Sequence, residues 1–441
     1  MLGTVRSYQR LKILPLVAII FLTVSGGPYG LEPLLSYGGR NGALLLLFLT
    51  PLLWDLPTIL MVMELNSMMP GNGGYYQWVK RALGIKWAWY EGWWTWLYTF
   101  VDLAIYPVLF VQYASFFFPE IAHLKIPICI TIIWLGAGFN ILGIIPVGRI
   151  SLLLSAAVVT PFLILFGIHL WHQGRWIQVP AQSLKGIGFS SLGMGLYTVM
   201  WNFIGWDNVT TYADEVDKPV RNYFIAILIA FVLTFCIYAV AVTTALSSGI
   251  DLELLQQQGF PALGAIVAGK WLALLIAGGG MASALGLFSA VLLSISRIPE
   301  AMANDRLLPE KIRMLHPRFN TPYVSIIISA VIVSGMVLWT FGDLLIIDIT
   351  LYGGALFLEF LSLVKFRIEL PNEKRPFKIP LSTPGLCVLI MLPVAVYVIA
   401  LSSALSMSNK MFAPALFAIA ALLSAEVAWK IISWKGRRTS R

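Results

Sequence analysis

Twelve apolar stretches occupy most of this chain, near residues 13–38, 42–68, 87–118, 126–145, 150–171, 190–213, 222–248, 271–296, 322–341, 344–364, 385–405 and 412–434. A hydrocarbon core about 30 Å thick needs roughly 20 apolar residues in helical conformation. Inside that core the backbone must satisfy its own N–H and C=O groups, so runs of this length are read as helices. Only 12% of the 441 residues are charged, against about 25% in soluble domains. The mean hydropathy is +0.82. The prediction is an all-α membrane protein with twelve transmembrane helices.

The net charge of +9 raises the question of nucleic acid. Its distribution points instead to the lipid bilayer. With both ends of the chain in the cytoplasm, 24 of the 30 Lys and Arg fall on the cytoplasmic side, leaving Arg40, Lys125, Arg175, Lys185, Lys270 and Lys410 outside. That asymmetry is the positive-inside pattern. One missed span would invert every later loop and destroy it. Residues 1–12 and 435–441 are therefore expected to be cytoplasmic tails of a multi-pass protein of the inner or plasma membrane.

The first stretch is interrupted near its middle by Ser25-Gly26-Gly27-Pro28-Tyr29-Gly30. Proline lacks an N–H, and glycine is entropically costly in a helix. Non-helical backbone at membrane depth is tolerated where it is buried in protein or lines a water-filled cavity. A second interruption, Trp201-Asn202-Phe203-Ile204-Gly205-Trp206-Asp207, falls in the sixth stretch. The alternative there is a helix that merely tolerates Gly205. The two breaks correspond if residues 13–171 and 190–364 are two five-helix repeats and residues 385–434 are two added helices. Repeats starting on an odd and an even span are inverted. Paired interruptions of this kind mark the central site of a transporter. Ser25, Gly26, Gly27, Tyr29, Asn202, Phe203 and Gly205 are the expected lining.

Ionisable residues at membrane depth cost roughly 2.5–3.5 kcal/mol on insertion scales and are functional candidates by default. Asp102 lies midway along the third stretch, either as partner of a substrate ammonium or as partner of a polar group on another helix. Tyr106 is one turn away. Trp201 and Trp206 flank the second break; indole faces attract ammonium groups by about 0.5–2 kcal/mol, and ordinary packing is the alternative. Asp207 is read as a proton-coupling carboxylate or as the cap of the inner half-helix. Glu64 and Glu359 are expected to pair with loop Lys or Arg. Asp55, beside Pro57, is expected to satisfy freed backbone. Asp348 is a further pathway candidate. Asp214, Glu215 and Asp217 form either an inner gate or a solvated loop. The cysteines and histidines have no metal or nucleophile spacing, and there is no phosphate-binding Gly-x-x-x-x-Gly-Lys-Ser/Thr loop. Neither an enzyme nor a primary pump is expected, and no cofactor.

Five blocks carry a family resemblance. They are Ser25-Gly26-Gly27-Pro28-Tyr29-Gly30-Leu31-Glu32-Pro33; Glu64-Leu65 with Pro70-Gly71-Asn72-Gly73-Gly74-Tyr75; Val101 to Leu109; Trp206-Asp207-Asn208-Val209 through Asp214-Glu215-Val216 to Pro219; and Leu358-Glu359-Phe360 with Arg375-Pro376-Phe377-Lys378-Ile379-Pro380. In this order they resemble the amino acid–polyamine–organocation transporters, in the branch of polyamine-uptake and L-type amino acid carriers. The resemblance implies a five-plus-five inverted-repeat, LeuT-like core with broken helices 1 and 6. It also implies alternating access and uptake driven by protons rather than sodium, as a monomer or homodimer. The expected substrate is a polyamine or cationic amino acid. Two departures bear on it. Pro28 stands where many members offer an amide to an amino acid carboxylate. Gly286-Leu287-Phe288-Ser289-Ala290-Val291 lacks the acid that plant polyamine members carry in span eight, which keeps a neutral amino acid carrier or exchanger as the alternative.

Overall fold

The computed structural model describes residues 10–173, 180–338, 341–406 and 409–439. No β-strand occurs among them, only the isolated bridges Leu11–Val216 and Asn72–Tyr212. Of the expected tails, residues 1–9 and 440–441 lie outside the described residues, as does Arg175.

Helix α1, Ile13–Val24, stops at the first break. Helix α2, Glu32–Thr50, turns at Gly39 (φ 62°, ψ −176°) and runs through a π-turn at Pro51–Asp55 into α3, Leu56–Met68. Together Glu32–Met68 make 37 residues. That is about 55 Å of straight helix, too long for one crossing; the turn at Gly39 divides it, near the expected boundary at 38–42. Next come α4, Gly74–Leu83; α5, Ile85–Phe117; α6, Lys125–Ile141; and α7, Ile144–Gln173. Helix α8, Phe189–Trp201, stops at the second break, and α9, Pro219–Ser248, follows it. Two short helices, α10 (Leu252–Gln258) and α11 (Phe260–Ala268), lead to α12, Lys270–Ile295, and α13, Arg297–Asn304. The chain ends with α14, Tyr323–Met336; α15, Phe341–Glu369; α16, Thr383–Ser406; and α17, Asn409–Thr439.

Among the described residues eight helical stretches are long and apolar enough to cross a membrane, and α1, α6 and α14 are shorter apolar helices. Helices α1 and α8, of 12 and 13 residues, are short because each is cut by its break. Burial sorts the elements. The apolar window of α15 is 83% buried, whereas that of the last helix is 17% buried. So α15 belongs to the centre, packed on α5, while α16 and α17 turn Val388, Met391, Leu423 and Val427 outward. Such exposed apolar faces are what lipid tails cover.

Glu64 of α3 is fully buried and accepts two hydrogen bonds of 2.6 Å from Arg367, with Arg375 at 3.4 Å and the Ile379 amide at 2.9 Å. The expected pairing with loop cations is therefore found, on α15 and the segment after it. A bidentate guanidinium–carboxylate pair is the geometry in which a buried charge is best satisfied.

Candidate functional site

The two breaks meet. Asn202, at the end of α8, donates from Nδ2 to the Gly30 carbonyl (3.3 Å) and the Thr198 carbonyl (2.8 Å). Tyr238 of α9 donates to the Asn202 carbonyl at 2.8 Å and lies 3.4 Å from the Ser25 carbonyl. Trp201 covers Gly30: a Cβ on that glycine would sit 2.7 Å from Trp201 Cζ3. The indole N–H of Trp201 donates 3.3 Å to Asp102 Oδ1, and the Tyr106 hydroxyl donates to Asp102 Oδ2. Asp102 is 4% exposed and Trp201 6%. Ser25, Gly30, Asp102, Tyr106, Trp201 and Asn202 are thus linked through these contacts, whereas Gly26 and Gly27 face Leu287, Ser283 and Val158.

The polarity of this place follows from the helix ends. Helices α1 and α8 both reach the breaks with their C-termini. Helix C-termini carry about −0.5 e of partial charge, which favours cations. The amides of Ser25, Gly26, Gly27, Gly30 and Leu31 in the first break are occupied. Ser25 and Gly26 donate to the Phe21 carbonyl, Gly27 to Ser25 Oγ at 3.0 Å, and Leu31 to the Pro28 carbonyl. Pro28 has no N–H. The remaining half-helix N-terminus, that of α2, is already held by a carboxylate of the chain itself. Glu32 accepts from the Gly30 amide (2.8 Å), Tyr113 (2.9 Å) and the Phe260 amide (3.3 Å). A cluster of free amides for a substrate carboxylate is not what this break offers.

Four expected lining residues do something else. Tyr29 donates 2.7 Å to the Ile276 carbonyl and packs on Tyr113 and Phe162. Phe203 packs edge-on against Tyr238. Trp206 is fully buried against Phe231 and adjoins the Asp55 carboxylate. Gly205, at φ +100°, lets the second break pass beside α1, where a Cβ would lie 3.3 Å from the Thr23 carbonyl. These residues shape the breaks rather than face Asp102. Asp55 is not the backbone partner its position beside Pro57 suggested: neither of its oxygens has a hydrogen bond among the described residues.

Asp207 lies in a second polar cluster. Its Oδ1 accepts from Tyr352 of α15 at 2.9 Å. Glu359, also on α15, lies against Asp207, and Glu91 of α5 is within electrostatic reach of both. Tyr75 and Tyr98 donate to the neighbouring Asn208 at 3.1 and 3.0 Å. Glu359 was expected to pair with a loop cation; instead it is fully buried beside another carboxylate. The reason is helical register. Arg367, eight residues on, is taken by Glu64, and the seven-residue step from Tyr352 to Glu359 keeps both on one face of α15. Glu91 was missed, because it lies among the aromatics of Trp89 to Trp96. A lone acid in an apolar aromatic run was the available signal.

On the far side of the second break, the Leu11 amide donates to the Glu215 carbonyl at 2.9 Å and the Asp217 amide donates to the Leu11 carbonyl at 3.1 Å. Arg297, 2% exposed, donates from Nε and Nη2 to Glu215 at 3.1 and 2.9 Å. The segment Asp214–Asp217 is therefore tied down at Glu215 rather than freely solvated. It borders a cavity of about 660 Å³ that Arg10, Glu300 and Arg318 also line.

Helices of membrane length, two broken helices meeting in the interior and a buried carboxylate between aromatic donors define a membrane transporter. The comparisons agree. The chain belongs to the amino acid permease family, whose sequence profile (Amino acid permease) matches residues 11–422. It is 32% identical over 404 residues to the polyamine transporter RMV1 of Arabidopsis thaliana, covering 90% of this chain and 80% of that protein. A second Arabidopsis thaliana protein, described as a probable polyamine transporter, is 33% identical over 392 residues, 87% of this chain and 80% of that one. The polyamine transporter PUT1 of Oryza sativa subsp. japonica is 28% identical over 403 residues, 90% of this chain and 74% of its own length. As a permease, this chain is an integral membrane protein that transports a small molecule.

One consequence concerns Gly30. Its φ of +87° is unfavourable for any L-residue, and a methyl group there would strike Trp201. Gly30→Ala is expected to lower stability by about 1–3 kcal/mol and to displace the indole from Asp102. Thermal unfolding of the purified variant checks the first effect, and intrinsic Trp fluorescence the second.

Proposed function

We propose that the chain is a secondary active transporter that takes up polyamines, with cationic amino acids as weaker substrates, driven by protons. Twelve spans with both termini in the cytoplasm carry the activity in the cell membrane. The first ten form two inverted five-helix repeats, and the breaks at Ser25–Gly30 and Asn202–Asp207 are the paired hinges around which access alternates. Asp102 binds the ammonium group, Tyr106 and Trp201 hold its carboxylate and wall the site, and Asp207 carries the coupling proton. The Arg297–Glu215 pair closes the cytoplasmic side.

One observation carries the substrate class. Asp102 lies at the C-terminal end of α8, bonded to Trp201, while the amides of Ser25, Gly26, Gly27, Gly30 and Leu31 in the first break are already satisfied. An ammonium gains from that arrangement, and a carboxylate finds few donors there. The polyamine transporters among the relatives support the same class. The missing acid of span eight, which kept a neutral amino acid carrier open, is answered by acids elsewhere in the core, on α5 and α15.

Uptake into proteoliposomes of the purified protein tests the proposal. With an inward proton gradient, labelled putrescine should accumulate above equilibrium, saturate and show counterflow. Accumulation of leucine but not putrescine overturns the substrate class, and putrescine accumulation indifferent to the gradient overturns the coupling.

A further inference from the structure

Asp348 sits in α15, is completely buried, and has no hydrogen-bond partner on either oxygen among the described residues. It is within electrostatic reach of Asp102 and of Tyr106. Helix α15 packs directly on α5, which carries both of those residues. Its register confirms the direction of the face. Tyr352, one turn beyond Asp348, reaches inward to Asp207, and residues four apart share a side of a helix. A carboxylate buried without donors is among the costliest groups a protein interior can hold. Such a group persists where something that visits the site neutralises it.

We infer that Asp348 is a second carboxylate of the ammonium site: Asp102 and Asp348 hold one primary ammonium group between them, and Asp348 sets the preference for amines that carry no carboxylate. This rests on the cation reading of the proposed function and deepens it. An ammonium has three N–H donors and no acceptor, so one group can donate to both carboxylates and still reach a carbonyl or hydroxyl. Asp102 already accepts from Tyr106 and Trp201, which fixes its position and leaves it spare lone pairs. Asp348 has all its lone pairs to offer. A zwitterionic amino acid brings its own carboxylate toward two others, and like charges in a dry site repel. A diamine brings none.

The test is ligand-induced thermal stabilisation of the purified protein with putrescine, arginine and leucine, in wild type and in Asp348→Asn, which is nearly isosteric. The expected result is that Asp348→Asn weakens putrescine binding about 10-fold or more and lowers the putrescine-to-arginine preference by a similar factor. A purely structural role would weaken all ligands together and leave that preference unchanged, which overturns the assignment. So does putrescine binding that survives Asp348→Asn intact. If Asp348→Asn does not fold, Asp348→Glu keeps the charge and advances it by one methylene. It should retain diamine binding while shifting the preference among diamines of different chain length, and an unshifted preference overturns the assignment. Absence of amine binding by the wild type overturns the proposed substrate class as well; loss in Asp102→Asn with retention in Asp348→Asn overturns this assignment alone.

Discussion

Asp102→Asn is expected to abolish amine uptake at substrate concentrations that saturate the wild type. Asparagine has almost the same shape, and it can still accept from Tyr106 or from Trp201, which now bind the two oxygens of Asp102. The packing around Gly30 and Asn202 is therefore retained. What is removed is the charge. Truncating one partner of a buried, hydrogen-bonded charge pair costs about 2–5 kcal/mol, or about 30- to several thousand-fold in affinity. Equilibrium binding of labelled putrescine reads the loss, and the unaltered elution profile of the variant separates it from misfolding. Undiminished binding would remove Asp102 from the site and leave it a structural acceptor for Trp201.

Much of this was legible before any coordinates. Apolar length depends on local composition, and most helix ends lie near where the apolar stretches end. The breaks were legible for the same reason: Gly26, Gly27, Pro28 and Gly205 are poor helix residues whatever surrounds them. Asp102 and Asp207 stood out because an acid in an apolar run has no local excuse. What could not be read was which polar group meets which. Glu359 lies close in sequence to five basic residues, yet its neighbours are Asp207 and Glu91, because the face of α15 and not its nearest loop decides contact. Tyr29 lies inside the first break, yet its hydroxyl is committed to α12. The occupation of the break amides by Ser25 and Glu32 depends on side-chain rotamers and on Tyr113 from α5. Sequence pattern has no access to such long-range pairings.

The same contrast between a local residue and its distant partners determines what Asp207 does. Asp207 accepts from Tyr352, with Glu359 and Glu91 close by, and among the described residues none of the three carboxylates forms an ion pair. Carboxylates gathered in a dry interior repel one another unless a proton or a cation stands between them. Glu359 has no hydrogen-bond donor on either oxygen; a proton shared with Asp207 supplies one, because a protonated carboxyl donates. Asp207 also opens the turn that carries Asn208, to which Tyr75 and Tyr98 donate, so a change in its charge acts on the hinge of the second break. Asp207→Asn keeps an acceptor for Tyr352 and fixes the position as neutral. The expected outcome is a split between two assays. Counterflow of labelled putrescine, which needs only the amine site and alternation, should persist within about tenfold of wild type, since a hydrogen bond between neutral groups is worth only about 0.5–1.5 kcal/mol. Accumulation driven by a proton gradient should vanish. If gradient-driven accumulation survives in Asp207→Asn while counterflow is unchanged, the proton is carried elsewhere, and Glu91 and Glu359 become the residues to neutralise next. If both assays fail together in a folded variant, Asp207 is part of the hinge and not the coupling group, because a group that only couples cannot stop exchange.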